Sequence, residues 1–259
     1  MDLNSKSIGI VLSGGGSKGI AQAGALQFLS EQGIEPSCIA GTSAGSIVGG
    51  LYAYGKKPEE ILDFFKSISF FHWKHFTFKK AGIVDSESFK NYFVEILGPI
   101  TIEELKIPIY ITATDLVKGK LKVFSGETKL VDAILASSSF PGMLSPYEIK
   151  NRLYSDGGIL NHFPTDLLQG RCDTMIGIYV SPIQKIESSD LKSIKGVTTR
   201  AFDLLYANYN YQKFNLCDLV IEPKDLANYS TFETNKSKMD TLFKIGYDEA
   251  KKSFENLAL

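Results

Sequence analysis

The chain has 259 residues, 44% of them hydrophobic, enough to build the core of one large α/β domain. Its 28 basic and 29 acidic residues leave a formal charge of -1, which argues against nucleic-acid binding through bulk electrostatics. The three cysteines, Cys38, Cys172 and Cys217, each lie beside an apolar strand pattern and read as reduced core residues, not as a disulfide framework.

Met1 to Lys6 opens without a basic flank leading to an apolar leader, so the chain is expected to be cytosolic. No stretch reaches the length of a membrane-spanning helix, and any lipid contact is therefore expected to be peripheral. No repeat, low-complexity tract or linker divides residues 1–259, which are expected to form a single domain.

Ile8 to Leu12 reads as a buried strand, Ser13-Gly14-Gly15-Gly16-Ser17-Lys18-Gly19 follows, and Ile20 to Ser30 has helical spacing. Strand, glycine loop and helix make an anion cradle, because unshielded N–H groups and the positive helix end converge on one spot. An oxyanion hole has the same requirement. Gly14-x-Gly16-x-x-Gly19 also satisfies the dinucleotide fingerprint, but the next strand runs through Ile39-Ala40 without the acidic residue a ribose needs. A phosphate-binding P-loop fails too, since Ile20 and Ala21 stand where a lysine and a hydroxyl residue should follow. Lys18 reads either as a solvated loop lysine or as a charge supporting an oxyanion or phosphate.

The next strand, Cys38-Ile39-Ala40, leads into Gly41-Thr42-Ser43-Ala44-Gly45 and a small-residue helix from Ser43 to Tyr54. A serine on such a turn is pushed into strained geometry with its Oγ exposed, which makes Ser43 the candidate nucleophile; the competing reading is a helix N-cap. Helical spacing continues in Pro58 to Ser67, Ser86 to Leu97, Thr128 to Ala136, Val197 to Phe214 and Asn235 to Asn256. Strands are expected at Ile107 to Thr112, Leu121 to Phe124, Leu153 to Ser155, Met175 to Val180 and Leu219 to Ile221. This alternation predicts a three-layer α/β/α fold with a mostly parallel central sheet, its motifs sharing the rim at the strand C-terminal ends.

Two segments stand apart. Phe64 to Lys80 carries seven aromatic rings and four lysines with no acid, which suits either an anionic lipid surface or an aromatic core patch. Phe202, Tyr206, Tyr209, Tyr211 and Phe214 share that ambiguity and could line an acyl channel.

Asp156 in Ser155-Asp156-Gly157-Gly158 reads either as a hairpin turn or as a catalytic acid. His72, His75 and His162 are the only imidazoles. His162, six residues beyond Asp156, could complete a Ser-Asp-His order, but it sits in Asn161-His162-Phe163-Pro164 at the entrance to a short helix, where a polar residue commonly fixes a turn.

Gly14 to Gly19, Gly41 to Gly45, Ala136-Ser137-Ser138-Ser139-Phe140-Pro141-Gly142 and Asp156-Gly157-Gly158, in that order, resemble the patatin-like phospholipase family, over roughly residues 7 to 255. The resemblance implies lipid acyl hydrolysis by a Ser-Asp dyad without histidine, metal or cofactor. It makes Ser43 the nucleophile, Asp156 the base, and the backbone of Gly14, Gly15 and Gly16 the oxyanion donors; in the attack of Ser43 on an ester the Ala44 N–H is expected to join them. The implied substrates are phospholipids, lysophospholipids or simpler acyl esters. Acyl transfer, thioester cleavage and lipid binding with little turnover are the alternatives. The chain departs from the family pattern at Ser13, where plant members carry Asp, at Lys18, where Arg is frequent, and at His162, where Asn is common.

Overall fold

A computed structural model describes residues 7–68 and 81–256. Eight strands form one sheet: β1 (Ile8–Leu12), β2 (Cys38–Thr42), β3 (Ile109–Asp115), β4 (Lys120–Phe124), β5 (Tyr147–Ile149), β6 (Arg152–Asp156), β7 (Thr174–Ile178) and β8 (Leu219–Ile221). The order is β5-β6-β3-β2-β1-β7-β8, with β4 also paired to β3. Five strands, β3-β2-β1-β7-β8, run parallel, as the alternation of elements predicts. The other three join through antiparallel pairings, β4 and β6 on β3 and β5 on β6.

The helices are α1 (Ile20–Glu31), α2 (Ala44–Tyr54), α3 (Pro58–Ser67), α4 (Lys90–Leu97), α5 (Leu130–Ser138), α6 (Gly158–Asn161), α7 (Ile194–Lys213) and α8 (Lys236–Glu255). Side chains alternate across each strand, so Ile8, Ile10 and Leu12 of β1 enter the larger core, under α1 to α5 and α8. Val11 faces the other way, into a smaller core of Ala40, Phe163, Leu168 and Tyr179. The second layer is thinner than the first. Small residues bring it close: a Cβ on Gly177 would stand 2.5 Å from the Phe163 ring.

Two sequence expectations change. The Asp156-Gly157 pair makes no hairpin, because Gly157 is right-handed (φ -62°) and leads into α6. The hairpin joins β5 to β6 through Lys150 and Asn151, both at positive φ (51° and 59°), the conformation of a type I′ turn. That turn lacks the glycine that would have signalled it.

Ser43 and Asp156 do not share a rim by belonging to parallel strands either. Ile111 and Thr112 of β3 pair with both β2 and β4, so those two strands lie on opposite edges of β3. Ala113 to Asp115 pair with both β4 and β6, which puts β6 on the same edge as β2. Thr42 ends β2 opposite Thr112, and Asp156 ends β6 opposite Ala113. The two strands meet tip to tip from opposite directions.

α1 and α8 cross with almost no side chain between them, since a Cβ on Gly246 would collide with Ala21 O and one on Gly24 with Phe243 O. Gly246→Ala should therefore force the helices apart and lower stability by about 1–3 kcal/mol, read as a lower denaturant midpoint with an unchanged m-value.

Candidate active site

The turn after β2 is built by two glycines. A Cβ on Gly41 would strike Gly45 O, and one on Gly45 would strike Leu12 O, so only hydrogen at both positions lets α2 start directly against β1 and β2. Ser43 between them has φ 53° and ψ -120°, a conformation that costs a non-glycine residue on the order of 1–3 kcal/mol. Its backbone is held in compensation: Ser43 N–H donates to Ser137 Oγ (2.8 Å), and Ser43 O accepts from Ser46 N–H and Ile47 N–H. The N-cap alternative is not what the side chain does, because Ser43 Oγ makes no capping bond.

Ser43 Oγ donates instead to Asp156 Oδ2, at 2.6 Å. Asp156 Oδ1 accepts from Gly158 N–H (2.7 Å), and Asp156 O accepts from Thr114 Oγ1 (2.9 Å). Asp156 N–H donates to Ser139 O (2.9 Å), while Ser137 in the same segment holds the Ser43 amide. The serine run that ends α5 thus fixes both partners. Ser137 and Ser139 belong to a motif visible in sequence, but their positioning role depends on which backbone groups they meet.

Burial pushes the Asp156 carboxyl up to about 6, against the opposing hydrogen bonds from Ser43 and Gly158. His162 goes the other way. Burial and the charge of Lys213 push its imidazole down to about 3, so it is neutral and weakly basic. Its Nε2 meets Ser181 Oγ at 3.1 Å, and its ring packs where a Gly14 Cβ would stand, 2.6 Å from Cε1. His72 and His75 lie outside the described residues.

The glycine loop is tied down by its own polar contacts. Ser13 Oγ and Ser181 Oγ both donate to Gly14 O, and Val180 N–H donates to Ser13 Oγ. Gly14 N–H donates to His162 O (3.0 Å). That bond engages the amide, so Gly14 is withdrawn from the expected set of oxyanion donors. The N–H groups of Gly15 and Gly16 meet no acceptor among the described residues. Ala44 N–H, at the first position of α2, has no partner within the helix.

A cleft of about 410 Å³ joins these groups. Gly15, Gly16, Ser43, Ala44 and Asp156 line its polar end, and Ile47, Phe65, Phe140, Leu144 and Phe232 its apolar wall. Phe64 and Phe65 are buried, as an aromatic core patch requires. Lys66 pairs with Asp240, and Phe70, Phe71, Trp73, Lys74, Phe76, Phe78, Lys79 and Lys80 of that segment lie outside the described residues. Phe202 stacks edge-on to Phe140 (6.0 Å), and Tyr211 and Phe214 pack on Tyr179 in the second core. Lys18 is no solvated loop lysine: it is buried, and it lines a neighbouring cavity instead of this cleft.

One group escaped the sequence reading altogether. Lys213 Nζ, buried at the end of α7, donates to Asn161 Oδ1 (2.6 Å), Asp166 Oδ1 (2.6 Å) and Phe163 O (3.1 Å), clamping α6 directly behind Asp156. No motif marks it, because its partners lie about fifty residues away.

The fold and this site define an α/β protein with a serine–carboxylate pair on a strand-to-helix turn. The chain belongs to the patatin-like phospholipase family, whose model matches residues 10–168. An uncharacterized NTE family protein of Mycobacterium tuberculosis is 36% identical over 179 residues, covering 64% of this chain and 47% of that protein. Lysophospholipase NTE1 of Saccharomyces cerevisiae is 30% identical over 188 residues, 69% of this chain and 11% of that one. The chain thus spans about half the length of the mycobacterial relative it matches. In fold it is similar to VipD from Legionella pneumophila, with a TM-score of 0.62 at 15% identity, over 97% of this chain and 67% of that one. No helix among the described residues is long and apolar enough to cross a membrane.

The raised Asp156 pKa has a stability consequence. In the unfolded chain this carboxyl titrates near 3.9 and in the folded protein near 6, so the folded state holds the proton more tightly. Stability from this group is therefore lost as pH climbs from about 4 to about 6, and stays lost above. Asp156→Asn should raise the melting temperature at pH 7 to 8, by at most about 3 kcal/mol of stability, and the gain should vanish below about pH 4.

Proposed function

We propose that the protein is a serine-dependent lipid acyl hydrolase in which Ser43 and Asp156 act as a catalytic dyad. The reading is carried by the 2.6 Å Ser43 Oγ to Asp156 Oδ2 hydrogen bond, made from a strained turn. As Oγ attacks the ester carbonyl, its proton passes to Asp156 Oδ2, and the negative charge formed on the carbonyl oxygen is held by the N–H groups of Gly15, Gly16 and Ala44. The tetrahedral species collapses, Asp156 returns the proton to the leaving alkoxide, and an acyl ester on Ser43 remains. Water then attacks that ester and gives its proton to Asp156. The second tetrahedral species releases the fatty acid, and the proton goes back to Ser43 Oγ.

Asp156 suits the work of the base better than His162. A carboxylate near 6 is mostly ionised at neutral pH yet basic enough to share a proton, whereas an imidazole near 3 is a poor acceptor. The apolar wall of Ile47, Phe65, Phe140, Leu144 and Phe232 suits an acyl chain, and the yeast relative bears the name of a lysophospholipase. Lys18 reaches the oxyanion only through its field, from the cavity next door.

Ser43→Ala should abolish both esterase activity and labelling by a fluorophosphonate probe; labelling that persists and maps to Ser17, Ser46 or Ser138 would remove Ser43 from its role. Asp156→Asn should lower kcat by about two to four orders of magnitude, and the wild-type rate should fall on the acid side of about pH 6. His162→Asn should cost far less than either.

Gly15→Ala places a Cβ 2.7 Å from Val180 Cγ2 and should displace the donor loop, lowering kcat about a hundredfold or more with a smaller change in KM. Lys18→Met should be milder on a short neutral ester. Equal losses in the two variants would make the lysine a direct participant.

A further inference from the structure

A second cavity, about 370 Å³, adjoins the cleft; Ser181, Asp203, Ser230 and Thr231 belong to the walls of both. Its chemistry is different. Among the described residues, Lys18 and Arg200 line it with one acid, Asp203, so that charged lining leaves one positive charge unbalanced. Lys18 is only 8% exposed, and burial holds its ammonium below the ordinary lysine range, a pull that Asp203 opposes. A cation so placed lacks water and gains from an anion beside it.

α7 forms one side of this cavity and leaves several aliphatic side chains in water. Arg200 and Asp203 line the cavity, while Ile194 (89% exposed), Val197, Leu204 and Leu205 (67% exposed) lie in water. A surface helix ordinarily turns its aliphatic stripe inward and its charges out. Arg200 is half-buried at this wall while four aliphatic side chains of the same helix are exposed, a placement that is understandable when the cavity takes a charged ligand.

We propose that this cavity is the subsite for the phosphate-bearing head group of the lipid whose acyl ester reaches Ser43. The guanidinium of Arg200 offers the planar fork that matches phosphate oxygens, and Lys18 supplies a point charge from the glycine loop. The hydroxyl residues Ser181, Ser230 and Thr231, on the wall shared by the two chambers, border the path of the polar glycerol linker. The acyl chain lies against the apolar wall of the first chamber. The assignment rests on the serine-hydrolase reading for its acyl end, and names the substrate class as glycerophospholipids over neutral glycerides.

The test uses a lysophospholipid and the monoacylglycerol with the same acyl chain, each assayed with the wild type, Arg200→Gln and Arg200→Lys. Arg200→Gln should raise KM for the lysophospholipid at least about tenfold, as loss of a charge-assisted contact does, with kcat nearly kept and monoacylglycerol turnover within about twofold of wild type. Arg200→Lys should restore part of the loss. Retained monoacylglycerol turnover also shows that the variant is folded. Equal losses on both substrates, or no loss on either, would overturn the assignment.

Calorimetry with Ser43→Ala protein reads the cavity without turnover: sn-glycerol 3-phosphate should bind, and adding Arg200→Gln should weaken it at least about tenfold. No binding would sink the proposal. Binding of glycerol phosphate and inorganic phosphate together with unchanged substrate discrimination would make the cavity a free-phosphate site, and that too would overturn the head-group assignment. Fluorophosphonate labelling of Ser43 reports on the dyad alone, so failure there is distinguishable from failure here.

Discussion

The edge of β3 is the constraint on which the site depends. It is long enough to take the end of β2 along Ile109 to Thr112 and the end of β6 along Ala113 to Asp115, so two strands running in opposite directions stop against neighbouring residues. Backbone pairing holds each strand in register, and a one-residue slip in either would turn its terminal side chain to the other face of the sheet. The 2.6 Å contact between Ser43 and Asp156 is therefore set by ladders, not by the flexibility of two loops. Thr42 and Thr112, joined through their hydroxyls at 2.6 Å, stitch the junction from beneath.

Around that junction the polar groups are arranged so that few are left without a role. Ser137 holds the Ser43 amide, the backbone of Ser139 holds that of Asp156, and Lys213 locks α6 behind them through Asn161 and Asp166. On the opposite side Ser13, Ser181 and the His162 carbonyl fasten Gly14. Among the described residues, what stays unengaged are the amides of Gly15 and Gly16, next in the loop. Such fixed donors need no reorganisation when charge develops, which is the condition for electrostatic stabilisation of a transition state. The cost appears as backbone strain at Ser43 and as a carboxylate buried at Asp156, both opposing stability.

The same burial sorts the two groups that could serve as base. Asp156 and His162 are both buried, but desolvation disfavours the charged form of each, raising the acid toward neutrality and lowering the imidazole away from it. Lys213 adds to the second effect because its positive charge repels an imidazolium. One buried environment thus brings the carboxyl within reach of neutral pH and carries the imidazole away from it.

Local sequence determined a good deal. β1 and β8 have the bounds their apolar runs imply, α3 spans the residues its spacing and Pro58 mark, and the Gly41 and Gly45 pair fixes the turn that carries Ser43. These are properties of neighbouring residues: periodicity, cap chemistry and the room a missing Cβ leaves. Other features could not be read this way. The approach of β6 from the opposite direction, the loss of Gly14 N–H to a carbonyl 148 positions away, the burial of Lys18 and the clamp made by Lys213 each depend on partners far along the chain. A hydrogen bond has one acceptor and burial has one set of neighbours, and both are chosen only when the sheet assembles. Sequence therefore offered candidate residues for the site, while the tertiary structure decided which of their polar groups are engaged, which are desolvated and which are left to meet a ligand.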